Sequence, residues 1–170
     1  MRLKILLLLL PLMLVLTACD ELATMLEEGE GGNIAGESAR VLRVIDGDTI
    51  DVSINGTEYR VRYVGVNTPE RGENCYQEAV DANRNLVNGQ TVTLVKDTSD
   101  TDRYERLLRY IYVGNTFVNE ELVRNGYAEA VLYAPDDEFY NAFLDLERQA
   151  RQRNIGCHPT GIFDDGSDTR

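Results

Sequence analysis

Two hairpin-turn signals that lie close together constrain the fold of this chain more than any other feature. Asp46-Gly47 and Asn55-Gly56 are dipeptides typical of tight β-hairpin turns, because these residue types tolerate positive φ. The segments around them are rich in β-branched and aromatic residues, as strands are. The sequence therefore predicts an antiparallel meander of three strands, over residues 40–45, 49–54 and 58–66.

The rest of the chain predicts two more strands and the first two helices. β-Branched and aromatic residues mark strands over residues 91–96 and 107–113. Apolar residues recur with the helical period over residues 74–87. A short second helix is expected to begin with Asn119 as its N-cap and to end at Asn125 before a glycine.

The third helix completes an element order that is typical of a small barrel. It is expected to open at Pro135-Asp136. Its predicted buried stripe comprises Phe139, Ala142, Phe143, Leu146 and Ala150. Five strands, with one helix after the third strand and two helices at the end, predict an α+β fold. The expected architecture is a five-stranded OB-fold (Greek-key) β-barrel with three α-helices.

Composition agrees with one globular domain and argues against several functions. The chain has 170 residues, of which 43% are hydrophobic and 27% charged, and this suits a single packed core. A net charge of −12 argues against charge-driven coating of nucleic acid. A single His and no Trp argue against a His-rich zinc site or a Ser-His-Asp triad. The one histidine, His158, is expected to be a loop residue without a catalytic role.

The N-terminus has the features of an export signal. Arg2 and Lys4 precede an apolar run over residues 5–16, which is shorter than the about 20 residues that a membrane span needs. The following Leu-Thr-Ala-Cys, ending at Cys19, resembles the bacterial lipobox. That resemblance implies cleavage before Cys19 and acylation of this residue. The alternative is an ordinary secretory signal with a spare cysteine.

These features divide the chain into four predicted segments. Residues 1–18 are the signal peptide, and residues 19–38 are the lipidated Cys19 and a flexible acidic tether. Residues 39–163 are the folded domain, and residues 164–170 are a disordered tail. The expected location is the extracytoplasmic face of a bacterial membrane, where the lipid would anchor the domain.

The other two cysteines, Cys75 and Cys157, are most simply explained by a disulfide, because an exported domain meets an oxidising compartment. The bond would join the start of the first helix to the end of the last. Two free thiols are the alternative. A catalytic cysteine is the weakest interpretation, because no histidine stands in a recognisable partnership with either thiol.

Three short segments carry the residues suited to chemistry. The first is Asp-Gly-Asp-Thr at residues 46–49, the second runs over residues 62–70, and the third is Asp-Arg-Tyr-Glu-Arg at residues 102–106. In the second, a strand is expected to carry Arg62 outward before a turn stiffened by Pro69. Hard oxygen ligands beside two arginines suit phosphodiester chemistry, in which a cation polarises a phosphoryl oxygen and a carboxylate activates water. Calcium suits such oxygen-only ligands.

These motifs resemble those of the staphylococcal nuclease (thermonuclease) family. The similarity runs from about Val41 to Asn154 and includes a fourth segment, Phe-Val-Asn-Glu-Glu-Leu-Val-Arg, at residues 117–124. The resemblance implies an OB-fold barrel and a Ca²⁺-dependent nuclease that hydrolyses the phosphodiester bonds of DNA and RNA. It also implies cleavage that leaves 3′-phosphates.

The resemblance gives a role to each matching residue. The implied calcium ligands are Asp48, Asn67 and the backbone carbonyl of Thr68. The implied catalytic residues are Arg62, Glu70 and Arg106, the arginines as phosphate ligands and the glutamate as general base. The implied nucleotide contacts are Tyr104 and Tyr133.

Asn67 departs from the family, in which Asp is frequent at this position. An amide oxygen binds calcium without the full negative charge, so the departure bears on metal affinity more than on catalysis. Local basic residues are expected to offset the acidic net charge near the substrate. These are Arg60, Arg62, Arg71, Lys96, Arg103 and Arg106.

Two other functions compete with that of a nuclease. One is a non-catalytic nucleic-acid- or protein-binding module on the same barrel, and the other is a structural lipoprotein that recruits a protein. The presence of Arg62, Glu70 and Arg106 favours the enzyme. The expected protein is a monomer whose partners are DNA and RNA as substrates and a membrane through the lipid anchor. No protein partner is implied.

Overall fold

The computed structural model describes residues 34–164. The predicted signal peptide, Cys19 and most of the predicted tether lie outside the described residues, as do residues 165–170 of the predicted tail. The predicted meander is present, with strands β1 (Glu37–Val44), β2 (Thr49–Ile54) and β3 (Thr57–Tyr63) paired antiparallel in that order. Strand β1 begins inside the predicted tether, because residues 37–40 pair with a later strand.

The remaining predicted strands and helices occur in the predicted order, and the structure adds short strands and a 3₁₀ turn that the sequence did not predict. In chain order, the elements after β3 are β4 (Val66–Asn67), α1 (Tyr76–Val87), β5 (Thr91–Val95), β6 (Leu107–Val113), β7 (Thr116–Phe117), α2 (Val118–Arg124), β8 (Glu129–Ala130), α3 (Tyr140–Arg153) and a 3₁₀ turn (His158–Thr160). The predicted third strand is interrupted at Gly65, whose φ is +74°, so that its last part becomes the separate strand β4.

Five of the strands close into a barrel. Strand β5 pairs antiparallel with both β1 and β6, and β6 pairs in parallel with β3, which joins the two ends of the sheet. The structure therefore confirms the predicted α+β fold, a five-stranded OB-type barrel with three helices. Outside the barrel, β4 and β8 form a short antiparallel ribbon.

The core fills the barrel and continues beneath the helices. Its largest fully buried side chains include Tyr63, Tyr110, Ile111 and Phe143. The Tyr63 hydroxyl donates to the buried Asn83 of α1 (2.9 Å), so the polar end of this side chain is satisfied inside the protein. Within residues 34–164, none of the helices combines the length and the apolar composition that a membrane span requires.

Two predicted helix starts are wrong, for the same physical reason. Asn119 lies inside α2, where its buried amide accepts from the Ile111 N–H (3.0 Å) and donates to the Val64 carbonyl (2.9 Å). Asp136 precedes α3, which begins only at Tyr140. Both side chains bind backbone groups that are distant in the chain instead of capping a helix. In α3, Phe143 and Ala150 are buried as predicted, but Ala142 is exposed.

Cys75 and Cys157 form the predicted disulfide, with an S–S distance of 2.12 Å and a Cα–Cα distance of 5.5 Å. The bond links the N-terminus of α1 to the segment after α3, across 82 residues of sequence. Closing a loop of this length stabilises a fold by about 4 kcal/mol in the chain-entropy view. The segment that carries Glu70 is therefore held at both ends, by β4 and by the disulfide.

Candidate active site

The three predicted motifs line one cleft of about 640 Å³ at the end of the barrel. Among its lining residues are Asp46, Asp48, Arg62, Asn67, Glu70, Tyr104, Arg106 and Tyr133. Thr68 lies directly beside Asp48 and is buried. The structure thus brings together the residues that the sequence assigned to metal, phosphate and nucleotide.

The meander explains why residues distant in sequence meet here. Strands β2 and β3 run antiparallel, so the start of β2 faces the end of β3, and Thr49 is paired with Arg62. Asp48 immediately precedes β2, and Asn67 lies in β4, just after the turn that follows β3. The first two motifs therefore lie at the same end of the barrel, because they belong to one hairpin and to the short strand that follows it.

The Asp48 carboxylate accepts three hydrogen bonds and forms one ion pair within the cleft. Its Oδ2 accepts from the backbone N–H and the hydroxyl of Thr68, both at 2.9 Å. Its Oδ1 lies 3.2 Å from Nε of Arg62 and accepts from the Thr49 hydroxyl at 3.2 Å. The preceding Gly47 is required sterically, because a Cβ there would lie 2.5 Å from the Thr68 hydroxyl oxygen. The Asp-Gly-Asp turn thus packs directly on the second motif.

Asp46 and Asp48 place two carboxylates close together in the cleft. Burial, together with the charge of Asp48, raises the pKa of Asp46 to about 6. Residues 34–164 contain no group of three or more His, Cys, Asp or Glu side chains arranged to hold a metal. The cleft instead offers two carboxylates and the amide oxygen of Asn67, an oxygen-only set that fits a hard cation such as Ca²⁺.

Arg62 does not point outward, as the sequence predicted, but is buried, with 8% of its surface exposed. Its Nη1 donates to the carbonyls of Tyr63 (2.5 Å) and Val66 (2.8 Å), and its Nη2 donates to Oδ1 of Asn67 (3.2 Å). The turn between β3 and β4 folds back over the guanidinium and supplies these acceptors. Arg62 is therefore part of the wall of the cleft and holds that turn in place.

Arg106 is presented by a loop that Asp102 organises. The carboxylate of Asp102 accepts from the backbone N–H groups of Tyr104 and Arg106, both at 2.9 Å, and from Arg106 Nε at 2.6 Å. Burial alone would raise the pKa of Asp102, but its hydrogen bonds with Arg106 and Tyr104 outweigh that effect and lower it. Tyr104 is 64% exposed at the rim, and the Arg103 guanidinium lies 4.7 Å from its ring centroid.

Glu70 lies on the exposed segment after Pro69. Its backbone N–H donates to the Glu73 carboxylate at 2.7 Å, which shapes the segment. The Glu70 carboxylate itself makes no hydrogen bond or ion pair with any residue that the structure describes, so it is available to a substrate or to water.

Tyr133 reaches the cleft from the loop between β8 and α3. The buried Asp136 ties this loop to the one before β6, because its Oδ1 accepts from the backbone N–H groups of Thr98 (2.9 Å) and Ser99 (2.6 Å). The residue that was predicted to open a helix thus joins the two loops that flank the cleft.

The predicted basic cluster is brought together only in part. Arg62, Arg103 and Arg106 line the cleft. Arg60 lines a neighbouring groove and is paired with Asp51 at 2.8 Å, while Arg71 and Lys96 are exposed elsewhere. His158 is buried in the 3₁₀ turn against Phe163 rather than lying in an open loop.

Glu129 is a site residue that sequence reasoning missed. It is 4% exposed in β8, directly opposite Asn67 in the short ribbon, and its Oε1 accepts from Asn67 Nδ2 at 3.0 Å. The only signal in the sequence is an acidic residue inside the otherwise apolar run of residues 127–133. That signal says that the carboxylate needs a partner but does not say which one.

Comparison with known proteins places this site in a family. The family model described as "Staphylococcal nuclease homologue" matches residues 60–157. That range contains Arg62, Asn67, Glu70 and Arg106, whereas Asp46 and Asp48 precede it. The match therefore begins later than the region of similarity inferred from the motifs.

Several relatives match across most of the described domain. The thermonuclease of Staphylococcus hyicus is 34% identical over 122 residues, which cover 68% of this chain and 72% of that protein. The thermonuclease of Staphylococcus intermedius is 34% identical over 130 residues, covering 72% and 77%. Endonuclease YncB of Bacillus subtilis (strain 168) is 39% identical over 121 residues, covering 66% and 57%. With its barrel, its cleft and these similarities, the chain belongs to the staphylococcal nuclease family.

Proposed function

We propose that this protein is a Ca²⁺-dependent nuclease that hydrolyses phosphodiester bonds of DNA and RNA and leaves 3′-phosphates. The observation that carries the proposal is the convergence in one cleft of the Asp46 and Asp48 carboxylates, the Arg62 and Arg106 guanidinium groups and the Glu70 carboxylate. Among residues 34–164, the Glu70 carboxylate has no hydrogen-bond or ion-pair partner. Family membership supports the proposal, since two of the relatives named above are called thermonucleases and the third is called an endonuclease.

The chain's oxygen donors define where a cation would be held. Asp48, Asn67 and the backbone carbonyl of Thr68 would hold Ca²⁺, with the Asp46 carboxylate beside them. When bound, the cation supplies Lewis-acid polarisation of a phosphoryl oxygen and favours ionisation of water.

The other residues act on the phosphate and on the proton. Glu70 takes a proton from the attacking water, whose oxygen forms the new bond to phosphorus. The bond from phosphorus to the 5′-oxygen breaks, and that oxygen acquires a proton as it leaves. Arg106 and Arg62 donate hydrogen bonds to the phosphate oxygens, on which negative charge increases in the transition state. Tyr104 and Tyr133 offer aromatic faces for nucleobases.

The direct test uses the full-length protein with denatured DNA or RNA. We expect release of acid-soluble nucleotides with Ca²⁺ and none with excess chelator, and we expect termini from which a 3′-phosphatase liberates phosphate. Glu70→Gln should lose activity, whereas Arg148→Ala, a change to an exposed arginine of α3 outside the cleft, should not. Nucleic-acid binding without cleavage under all of these conditions would favour the binding module instead.

The location of the protein is a separate part of the proposal. We place it on the extracytoplasmic face of a bacterial membrane, anchored through an acylated Cys19. Cys19→Ala should abolish labelling by a fatty-acid analogue and release the protein from membranes. Unchanged membrane retention without any acyl label would contradict the lipid anchor and leave the nuclease assignment untouched.

A further inference from the structure

The ribbon of β4 and β8 places a buried carboxylate next to a proposed calcium ligand. Asn67 and Glu129 are paired across the two strands, and they are 3% and 4% exposed. Asn67 lines the cleft, whereas Glu129 is not among the lining residues and contacts the amide of Asn67. Glu129 therefore acts on the cleft through Asn67 rather than by touching a substrate.

The two neighbours of Asn67 determine how its amide is oriented. An asparagine amide has one end that donates and one that accepts, and the two ends have the same shape. The Glu129 carboxylate accepts from Nδ2 at 3.0 Å, and the Arg62 guanidinium donates to Oδ1 at 3.2 Å. An ionised carboxylate can only accept and a guanidinium can only donate, so both contacts require the same orientation.

This orientation matters because a cation binds the oxygen of an amide and not its NH₂ group. We infer that Glu129 is a positioning residue that keeps Oδ1 of Asn67 available to Ca²⁺ and adds negative charge behind a neutral ligand. The inference rests on the proposed function, because it requires a cation in the cleft. It also makes Asn67 and Glu129 a matched pair, in which the amide donates to the buried carboxylate.

The pairing changes what an Asn67→Asp substitution should do. Taken alone, Asn67 suggests that an Asp would bind calcium more tightly. In the structure, an Asp at this position would set a second carboxylate against Glu129 at the 3.0 Å contact now made by a donor. Like charges this close and this buried do not both ionise readily, so the metal-free protein should be destabilised. Replacing Glu129 by Gln in the same chain should remove that conflict.

The test is a double-mutant cycle in the full-length protein. Four proteins are compared, namely the wild type, Asn67→Asp, Glu129→Gln and the double variant. Ca²⁺ affinity is measured by titration calorimetry and thermal stability by circular dichroism, with and without Ca²⁺. Neither measurement depends on nuclease activity.

We expect Glu129→Gln to weaken Ca²⁺ binding by about tenfold or more, the scale typical of groups that orient a metal ligand. Asn67→Asp should lower the melting temperature without Ca²⁺ and regain part of it when Ca²⁺ is added. The double variant should melt near the wild type and bind Ca²⁺ at least as tightly, so the two changes should not be additive.

Glu147→Gln is a matched control for charge and location. Its carboxylate accepts from the N–H of Ala130, the neighbour of Glu129 in β8, but it does not contact Asn67 in the structure. This variant should leave Ca²⁺ affinity unchanged. If Glu129→Gln fails to fold, Glu129→Asp replaces it, since the shorter side chain keeps the charge but withdraws the acceptor from the amide.

Three results would overturn the inference. Equal Ca²⁺ affinity in the wild type and Glu129→Gln would do so, and so would additive effects of the two substitutions on melting temperature. In both cases the proposed function stands, provided that the wild type binds Ca²⁺ and cleaves nucleic acid. A wild type that cleaves nucleic acid but binds no Ca²⁺ would overturn both the inference and the calcium dependence.

Discussion

The two sides of the cleft are built differently, and the difference indicates which substitutions each side can tolerate. The wall formed by β2, β3 and β4 holds Asp48, Arg62 and Asn67, all of them buried and hydrogen-bonded to one another or to backbone. The rim formed by the loop of residues 101–106 holds Arg106, which is partly exposed, and Tyr104, which is 64% exposed. Under the proposed function, the wall residues therefore serve both the reaction and the fold, whereas the rim residues serve the reaction and the substrate without supporting the fold.

The largest expected effect belongs to Arg62→Ala in the wall. Under the proposed function, Arg62 is a phosphate ligand, and its loss should lower kcat by about 10²–10³. Removal of the guanidinium also takes away the charged partner of Asp48 and the side-chain donor to the carbonyls of Tyr63 and Val66, which should cost about 3–5 kcal/mol of stability. Chemical denaturation and single-turnover cleavage measure the two losses. Arg148→Ala, at an exposed position of α3 outside the cleft, should show neither loss.

The corresponding substitution in the rim is Arg106→Ala. It should lower kcat without lowering stability. We expect the same fall in kcat of about 10²–10³, because the second proposed phosphate ligand is removed. The melting temperature should change little, since Arg106 is partly exposed and its one paired carboxylate, Asp102, keeps the backbone N–H donors of residues 104 and 106. Equal destabilisation by Arg62→Ala and Arg106→Ala would abolish the distinction between wall and rim.

A smaller effect is expected for Tyr104→Ala, at the outer edge of the rim. Stacking of a base on an aromatic ring contributes roughly 1–3 kcal/mol, so KM should rise by about tenfold while kcat stays close to that of the wild type. Tyr104→Phe should behave like the wild type if the ring face is what matters. A large fall in kcat with unchanged KM would place Tyr104 in the chemistry rather than in binding.

The smallest effect should come from His158, which lies outside the cleft. Its substitution therefore serves as a reference for the substitutions in the wall and in the rim. Burial lowers the pKa of His158, whose Nε2 has no hydrogen-bond partner among residues 34–164. The unfolded chain, with a pKa near 6.5, then binds protons more readily than the folded one. Stability should therefore fall as the pH drops below about 6.5. Melting curves of His158→Gln should show less of this acid dependence, and kcat at neutral pH should not change.

Local turn chemistry explains how much of the barrel could be predicted from the sequence. Asn55 and Gly56 adopt φ values of +51° and +86°, as a tight hairpin turn requires, and β2 and β6 have the predicted bounds. The order of strands and helices followed from such local signals. The motifs, in turn, predicted which residues line the cleft.

The predictions failed where a polar side chain had several possible partners. The sequence pattern predicts that Asn119 and Asp136 start helices, yet Asn119 bridges β6 to the turn after β3 and Asp136 joins two loops. Both side chains need hydrogen-bond partners, and backbone groups at a helix start or backbone groups distant in the chain can provide them equally well. Only the arrangement of the strands determines which of them lies within reach.

The sequence by itself determined the fold class, the disulfide and the residues that meet in the cleft, because turns, strand patterns and two available cysteines act locally or leave few alternatives. The tertiary structure alone decided that Arg62 is buried, that the carbonyls of the following turn fold back over it and that Glu129 lies against Asn67. Those contacts depend on closing β3 against β6 and on pairing β4 with β8. Pairing between segments far apart in the chain is a collective outcome of packing, which no single segment encodes.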